Sequence, residues 1–234
     1  PPALARGYVQ IETVANAAYS QHYPLTNELL DGTKVPVKDS SGNQVYGVTP
    51  PQWLGPFINA TKGRPVRVVF HNYLPTGKNG DLILPTDSSM MGSGMGPMSG
   101  MPAPTNDGTV MDQVRNPECT QEPKNAAHCF TDNRALLHLH GGTTPWISDG
   151  TPHQWITPAN ESTPWPQGVA VKEVPDMKDG SGAVMCSATD DGCTTFYYTN
   201  QQSARLMFYH DHSWGLTRLN IFLGQAAGYT STDD

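Results

Sequence analysis

Apolar and polar residues alternate along this chain in short stretches, and no long segment carries a helical period, which predicts strands joined by long connections. Arg64–His71 is the first clear case. Val66, Val68 and Phe70 fall on one face and Arg67, Val69 and His71 on the other. Just before it, Trp53–Ala60 carries Pro56, Ile58 and Ala60, and Gly63 supplies a turn. From about Asn72 to Asn133 the pattern dissolves into a Pro/Gly/Met-rich connection. Connections this long inside a compact domain are uncommon and usually serve a function or stay mobile. Arg134–Gly141 reads as the next strand, with Ala135, Leu137 and Leu139 on one side and Leu136, His138 and His140 on the other. A second polar, proline-rich region follows, interrupted by Val169–Val174. Phe196–Thr199 and Ala204–His212 then read as two strands forming a hairpin across Asn200–Ser203, with Leu206, Phe208, His210 and His212 sharing a face. Thr217–Leu223 reads as a last strand before Gly224, and there is no internal repeat. The expected class is all-β, a sandwich or barrel with long Pro/Gly-rich loops.

Composition agrees with this. The chain has 234 residues with 23 glycines and 21 prolines, a usage that suits short strands and turns better than a helical bundle. A net charge of −7 without any basic run argues against nucleic acid as a partner. No stretch approaches the roughly 18 apolar residues of a membrane-spanning helix. The opening Pro1-Pro2-Ala3, without an initiator methionine, reads as a processed or trimmed product whose export signal is gone.

The four cysteines form two close pairs, Cys119 with Cys129 and Cys186 with Cys193. Their number permits about three connectivities. The two local disulfides are the simplest, and they imply an oxidising location: periplasmic, cell-surface or extracellular. Neither pair has the two-residue spacing of common zinc knuckles.

The chemistry concentrates in His138-Leu139-His140 and His210-Asp211-His212, which hold four of the eight histidines. Residues i and i+2 of a strand project from one face, about 6.5–7 Å apart. Two imidazoles so placed reach two neighbouring metal ions, or grip one if the strand bends. Two such strands side by side present four imidazoles to one cavity. A single His-x-His occurs readily by chance on an exposed strand, whereas two copies are harder to dismiss. Imidazole suits copper, zinc, iron and nickel, so ligand type alone does not choose the metal.

The sequences around these pairs resemble a known family. His138-Leu139-His140-Gly141-Gly142, followed by Ser148-Asp149-Gly150, resembles the first copper motif of multicopper oxidases. Tyr209-His210-Asp211-His212, followed by Leu216-Thr217-Arg218-Leu219-Asn220 and Gly228-Tyr229, resembles the second. Pro56, Gly63, Val66, Val68, Asn72 and Leu74 are similar to the early strand of the same domain. The likeness is strongest to the bacterial spore-coat laccase type and to large secreted bacterial oxidases of the manganese-oxidase type.

The resemblance implies a cupredoxin-like Greek-key β-sandwich or barrel over residues 53–229, the first such domain of the oxidase. Residues 1–52 would be an N-terminal extension packed on it, 72–133 a long insertion, and 230–234 a linker or cut end. It also implies that His138 ligates a type 2 copper and that His140, His210 and His212 serve two type 3 coppers, in a centre that reduces O2 to water. Asp149 becomes a carboxylate near that centre, placed to orient a ligand or help deliver protons; its plainer role is that of a turn-forming Asp before Gly150. Asp211 lies between two ligands, points to the opposite face, and suits structural hydrogen bonding.

The rest of the oxidase is not in this sequence. The substrate-oxidising type 1 copper site is built around His-Cys-His, and the only His-Cys neighbours here, His128-Cys129-Phe130, are followed by no histidine at that spacing. Partners are therefore the remaining cupredoxin domains, on another chain or a missing segment, together with O2 and a reducing substrate the sequence does not name. The isolated chain is expected to be inactive.

Met90, Met91, Met95, Met98 and Met101 punctuate a Gly/Ser/Pro stretch. Thioethers favour Cu(I), which leaves open a non-catalytic copper-handling module; loop packing through those methionines is the plainer account. A zinc or iron enzyme of cupin type would want a carboxylate ligand, and no glutamate follows either pair closely. His22, His71 and His153 lack a paired partner in sequence and read as structural. Trp146, Trp155, Trp165 and Trp214 are expected to pack around the metal site. Asn59-Ala60-Thr61 and Asn160-Glu161-Ser162 match glycosylation sequons without implying use.

Overall fold

The computed structural model describes residues 4–86, 92, 129–172, 178, 184–187 and 189–233. The methionine stretch, His128 and Cys119 lie outside the described residues.

Four strands form the larger sheet. They are β5 (Ile58–Thr61), β7 (His138–His140), β9 (Arg205–His210) and β10 (Ala226–Thr232), in the order β5-β10-β9-β7. β10 runs parallel to β5 and antiparallel to β9, which in turn pairs antiparallel with β7. β6 (Val66–His71) and β8 (Cys193–Tyr198) form a second, antiparallel sheet. Small ladders in the N-terminal part pair β1 (Tyr23–Pro24) with β4 (Tyr46–Gly47) and β2 (Thr26–Glu28) with β3 (Lys34–Pro36). The all-β class is as the alternation predicts.

Alternation also explains where the core sits. Val66, Val68 and Phe70 of β6 meet Phe196 and Tyr198 of β8 on the inner face of one sheet. Met207 and Tyr209 of β9, Ala227 and Tyr229 of β10, Ala60 of β5 and Leu139 of β7 fill the inner face of the other, all in one cluster. Burying one tyrosine or phenylalanine contributes roughly 1.5–3 kcal/mol, so this cluster is the main stabilising layer. The period of two then forces the intervening residues of β7 and β9 outwards, and these include the histidines. Residues before β5 carry a smaller cluster of Leu25, Val37 and Val45. They are tied to the sandwich by Tyr8, whose hydroxyl donates to the Leu136 carbonyl (2.7 Å), and by Arg6, which donates to the Asp132 carbonyl (2.8 Å).

Three expectations need correction. Thr217–Leu223 is an α-helix, α1, not a strand. Leu219, Ile221 and Leu223 alternate, but the buried positions are Leu216, Leu219, Asn220 and Leu223, a helical period, and the helix stops at Gly224 with φ 118°. β8 and β9 do not form a hairpin: they belong to different sheets. Asn200, at φ 53°, makes the corner between them, donating to the Arg64 carbonyl (2.8 Å) and accepting from the Tyr229 hydroxyl (2.6 Å). The chain beyond 229 is not a linker from its first residue, because β10 continues to Thr232 in register with Thr61 of β5.

Cys186 and Cys193 are disulfide-bonded to each other, as the local pairing expects. Cys129 is also disulfide-bonded. Among the described residues no helix is long and apolar enough to cross a membrane.

Candidate metal centre

β7 consists of the residues His138, Leu139 and His140, and β9 ends on His210. The register sets His138 directly opposite His210 and His140 opposite Phe208, so these four side chains share the outer face. Leu139 and Tyr209, also paired, point into the core and lock the alternation. A register slip of one residue would send every histidine inward.

The rings converge. Centroids lie 5.8 Å apart for His138 and His140, 5.4 Å for His138 and His210, 5.0 Å for His138 and His212, and 5.5 Å for His210 and His212. One ring nitrogen each from His138, His140 and His210 falls within 4.8 Å of the others, a grouping able to hold a metal ion. His140 is exposed, His138 and His212 are half-buried, and His210 is buried.

Hydrogen bonds aim these rings. His138 Nδ1 lies 2.5 Å from the Asp149 carbonyl, and His210 Nδ1 lies 2.6 Å from the Asp211 carbonyl. A carbonyl can only accept, so each Nδ1 carries the proton and each Nε2 keeps its lone pair, the arrangement of metal-binding histidines tied to the backbone. His210 Nε2 then stands 3.2 Å from His140 Nδ1. That is close to the separation of two nitrogens sharing one ion at about 2.0 Å each. His212 Nδ1 is buried with no hydrogen-bond partner among the described residues. Burial, with the neighbouring histidines adding to it and the Asp211 carbonyl opposing, pushes the His210 imidazole down to about 4, so it is neutral and able to donate its lone pair at neutral pH.

Asp149 reaches His138 chiefly through its main chain. Its carboxylate accepts from the Thr144 hydroxyl at 2.7 Å and lies 3.9 Å from His138 Nδ1. The turn is tight: Ser148 is fully buried and accepts from the Tyr197 amide (2.9 Å). Gly150 has φ 67°, and a Cβ there would lie 2.1 Å from the Leu137 carbonyl oxygen.

Sequence reading missed how much the residues around Asp211 contribute. Asp211 is fully buried and accepts four hydrogen bonds, from the Leu136 amide (2.9 Å), the Ser213 amide (3.0 Å), the Ser213 hydroxyl (2.8 Å) and Asn220 Nδ2 (2.9 Å). Burial raises its carboxyl above the ordinary range, and these donors oppose the shift. The only signal for Asn220 was its place in the second motif.

Of the four tryptophans expected around the site, Trp155, Trp165 and Trp214 pack with Phe130 in one cluster. Trp146 does not; it is 73% exposed, on the short 3-10 turn before Asp149. Arg134, fully buried, lies over the Phe130 and Trp155 rings and donates to the Trp214 carbonyl (2.9 Å), holding the segment that follows His212. His22 pairs with Glu12 at 2.9 Å, His71 stacks on Tyr73, and His153 stands against Trp214, all apart from the four-histidine group.

Comparison with known proteins finds laccases and other multicopper oxidases. A laccase of Bacillus subtilis (strain 168) is 32% identical over 100 residues, which is 43% of this chain and 15% of that protein. A laccase of Bacillus stratosphericus is 34% identical over 107 residues, 45% of this chain and 16% of that protein. A multicopper oxidase of Oryza sativa subsp. japonica is 27% identical over 177 residues, 75% of this chain and 20% of that protein. This chain is similar to laccases and other multicopper oxidases. It covers at most about a fifth of the length of these relatives. A solved laccase from Pediococcus acidilactici superposes over 100% of this chain and 30% of its own, with a TM-score of 0.40 and 15% identity. No family model matches the chain.

Proposed function

We propose that this chain is the first cupredoxin-like domain of a multicopper oxidase and holds copper through His138, His140, His210 and His212. The observation that carries the reading is the convergence of these four rings, three from two adjacent strands and His212 from just beyond the second. The donor set fits the ion: all-imidazole, with Nδ1 of His138 and of His210 bound to a carbonyl so that each Nε2 keeps its lone pair, and a buried Nδ1 on His212 that has no partner among the described residues. The similarity to laccases selects copper from the metals imidazole suits. His138 is assigned to the type 2 position and His140, His210 and His212 to the type 3 pair. Copper bound there would supply the redox chemistry by which O2 is reduced to water.

The protein's own contribution is orientation and proton management. The Asp149 carbonyl fixes the His138 ring, and the Asp149 carboxylate, held by Thr144, is the group beside the cluster that can hold and pass on a proton. Phe208, stacked on His140 at 4.6 Å, and Leu206, 71% exposed, extend the same outer face. We assign that face to the remaining cupredoxin domains, which complete the centre and carry the site where reductant is oxidised. On this reading the chain alone has no oxidase activity, and its disulfide bonding suits an oxidising location outside the reducing cytosol.

Native and denaturing mass spectra of the purified protein, with copper counted in the same sample, test the proposal. The expected result is copper in an assembly with a further polypeptide or segment bearing His-Cys-His. Copper held only outside the four histidines, or a stable copper load with no oxygen uptake in any assembly, would overturn it in favour of a copper-handling module.

A further inference from the structure

β9 ends at His210, so strand geometry alone does not place His212. Its ring nevertheless lies 5.5 Å from that of His210 and 5.0 Å from that of His138. Asp211 holds the segment between the two. Its Oδ2 accepts the Ser213 amide two residues on, closing a turn of the kind Asp side chains favour, and its main-chain amide donates to the Gln225 carbonyl at 3.0 Å.

The same carboxylate reaches beyond its own segment. Oδ1 accepts the Leu136 amide, two residues before His138, and Oδ2 accepts Asn220 Nδ2 from α1. Asn220 is buried among core residues, and its Nδ2 also contacts the Arg134 carbonyl at 3.3 Å. The two His-x-His segments are thus joined behind the cluster by one buried group.

We propose that Asp211 is a positioning residue that sets the His138–His140 pair against the His210–His212 pair, with Ser213 and Asn220 holding its carboxylate in place. The inference rests on the copper reading only for the ion it names. Its chemistry makes Asp211→Asn a sharp test. Each oxygen accepts two donors: Oδ1 the Leu136 amide and Ser213 hydroxyl, Oδ2 the Ser213 amide and Asn220 Nδ2. Whichever way an asparagine amide turns, its NH2 group faces a main-chain amide that can only donate, that of Leu136 or that of Ser213. The variant keeps the shape and loses the joint.

The test uses this chain, metal-free, and reads the histidine ring nitrogens by long-range 15N–1H NMR before titration with Cu(II). Tyr229→Phe is the control, since it removes the buried hydrogen bond to Asn200 on the core side of β10. Expected for Asp211→Asn are shifted ring signals for His210 and His212 and about 10–100-fold weaker copper binding. Tyr229→Phe should leave both unchanged. Wild-type ring signals and copper affinity in folded Asp211→Asn would overturn the inference. If that variant does not fold, Ser213→Ala, which removes only the hydroxyl donor, is read instead; a smaller ring shift and weaker binding support the inference, and no change overturns it. Should the wild-type chain take up no copper at these histidines, the copper reading fails and the ring signals of the metal-free chain still decide this one.

Discussion

Gly150→Ala separates the effect of crowding at the metal site from that of backbone conformation. Gly150 has φ 67°, where a residue with a Cβ costs roughly 1–2 kcal/mol. Its new Cβ would also lie 2.1 Å from the Leu137 carbonyl oxygen and 3.0 Å from His138 Cα. Both neighbours are backbone leading into β7 and cannot turn aside as a flexible side chain would. Relieving such overpacking typically costs a further 1–3 kcal/mol or so. The sum, about 2–5 kcal/mol, lowers the melting temperature by roughly 5–15 °C in a chain of this size. Gly63→Ala is the matched control: φ is 73°, but nothing lies within 4 Å of its Cβ, so only the conformational cost applies. Because the displaced atoms belong to His138 and its neighbour, Gly150→Ala should also weaken Cu(II) binding by about tenfold or more, and Gly63→Ala should not. Thermal unfolding followed by circular dichroism, with isothermal titration for copper, reads both. A Gly150→Ala protein no less stable than Gly63→Ala, with wild-type copper affinity, would refute the reasoning.

Further predictions follow from the same structure. His210→Ala removes the buried imidazole whose Nε2 faces His140, and copper affinity should fall more than in Asp149→Ala, where only a side chain near the ring is lost; competition with a colorimetric chelator ranks them. Asp149→Ala leaves the main-chain acceptor of His138 in place, so its expected defect is in oxygen reduction by the assembled oxidase, not in copper content. Cys186→Ser opens a loop with a sequence separation of 7. Loop-closure entropy puts that loss at about 2–3 kcal/mol, a drop of roughly 5–10 °C in melting temperature. Leu206→Ser, on an exposed position beside the histidines, should leave the melting temperature of this chain unchanged within about 0.5 kcal/mol and weaken its association with the remaining domains, measured by native mass spectrometry.

The parts of this protein that could be read from sequence are those governed by short-range alternation. Arg64–His71 was legible because the period of two places its residues on opposite faces whatever the strand pairs with, whereas of Arg134–Gly141 only His138–His140 forms strand. The two His-x-His pairs were legible for the same reason. Thr217–Leu223 was not, because its leucines satisfy both periods, and burial of Asn220 at the fourth position after Leu216 decides for the helix. The supposed hairpin failed because pairing is a tertiary choice: Asn200 looks like a turn residue either way, and its bonds to Arg64 and Tyr229 make it a corner between sheets. Trp146 looked like packing by proximity in sequence, yet a three-residue 3-10 turn is enough to point it at solvent. The joint at Asp211 could be guessed at from its place between two outward residues, while its partners Leu136 and Asn220 are brought to it only by the fold.

The most direct test of the central claim is copper stoichiometry across a set of histidine variants, measured by native mass spectrometry of the folded chain titrated with Cu(II). Wild-type chain should retain copper, each of His138→Ala, His140→Ala, His210→Ala and His212→Ala should retain less, and the four together should retain none. Copper retained at the wild-type level by the fourfold variant would contradict the account.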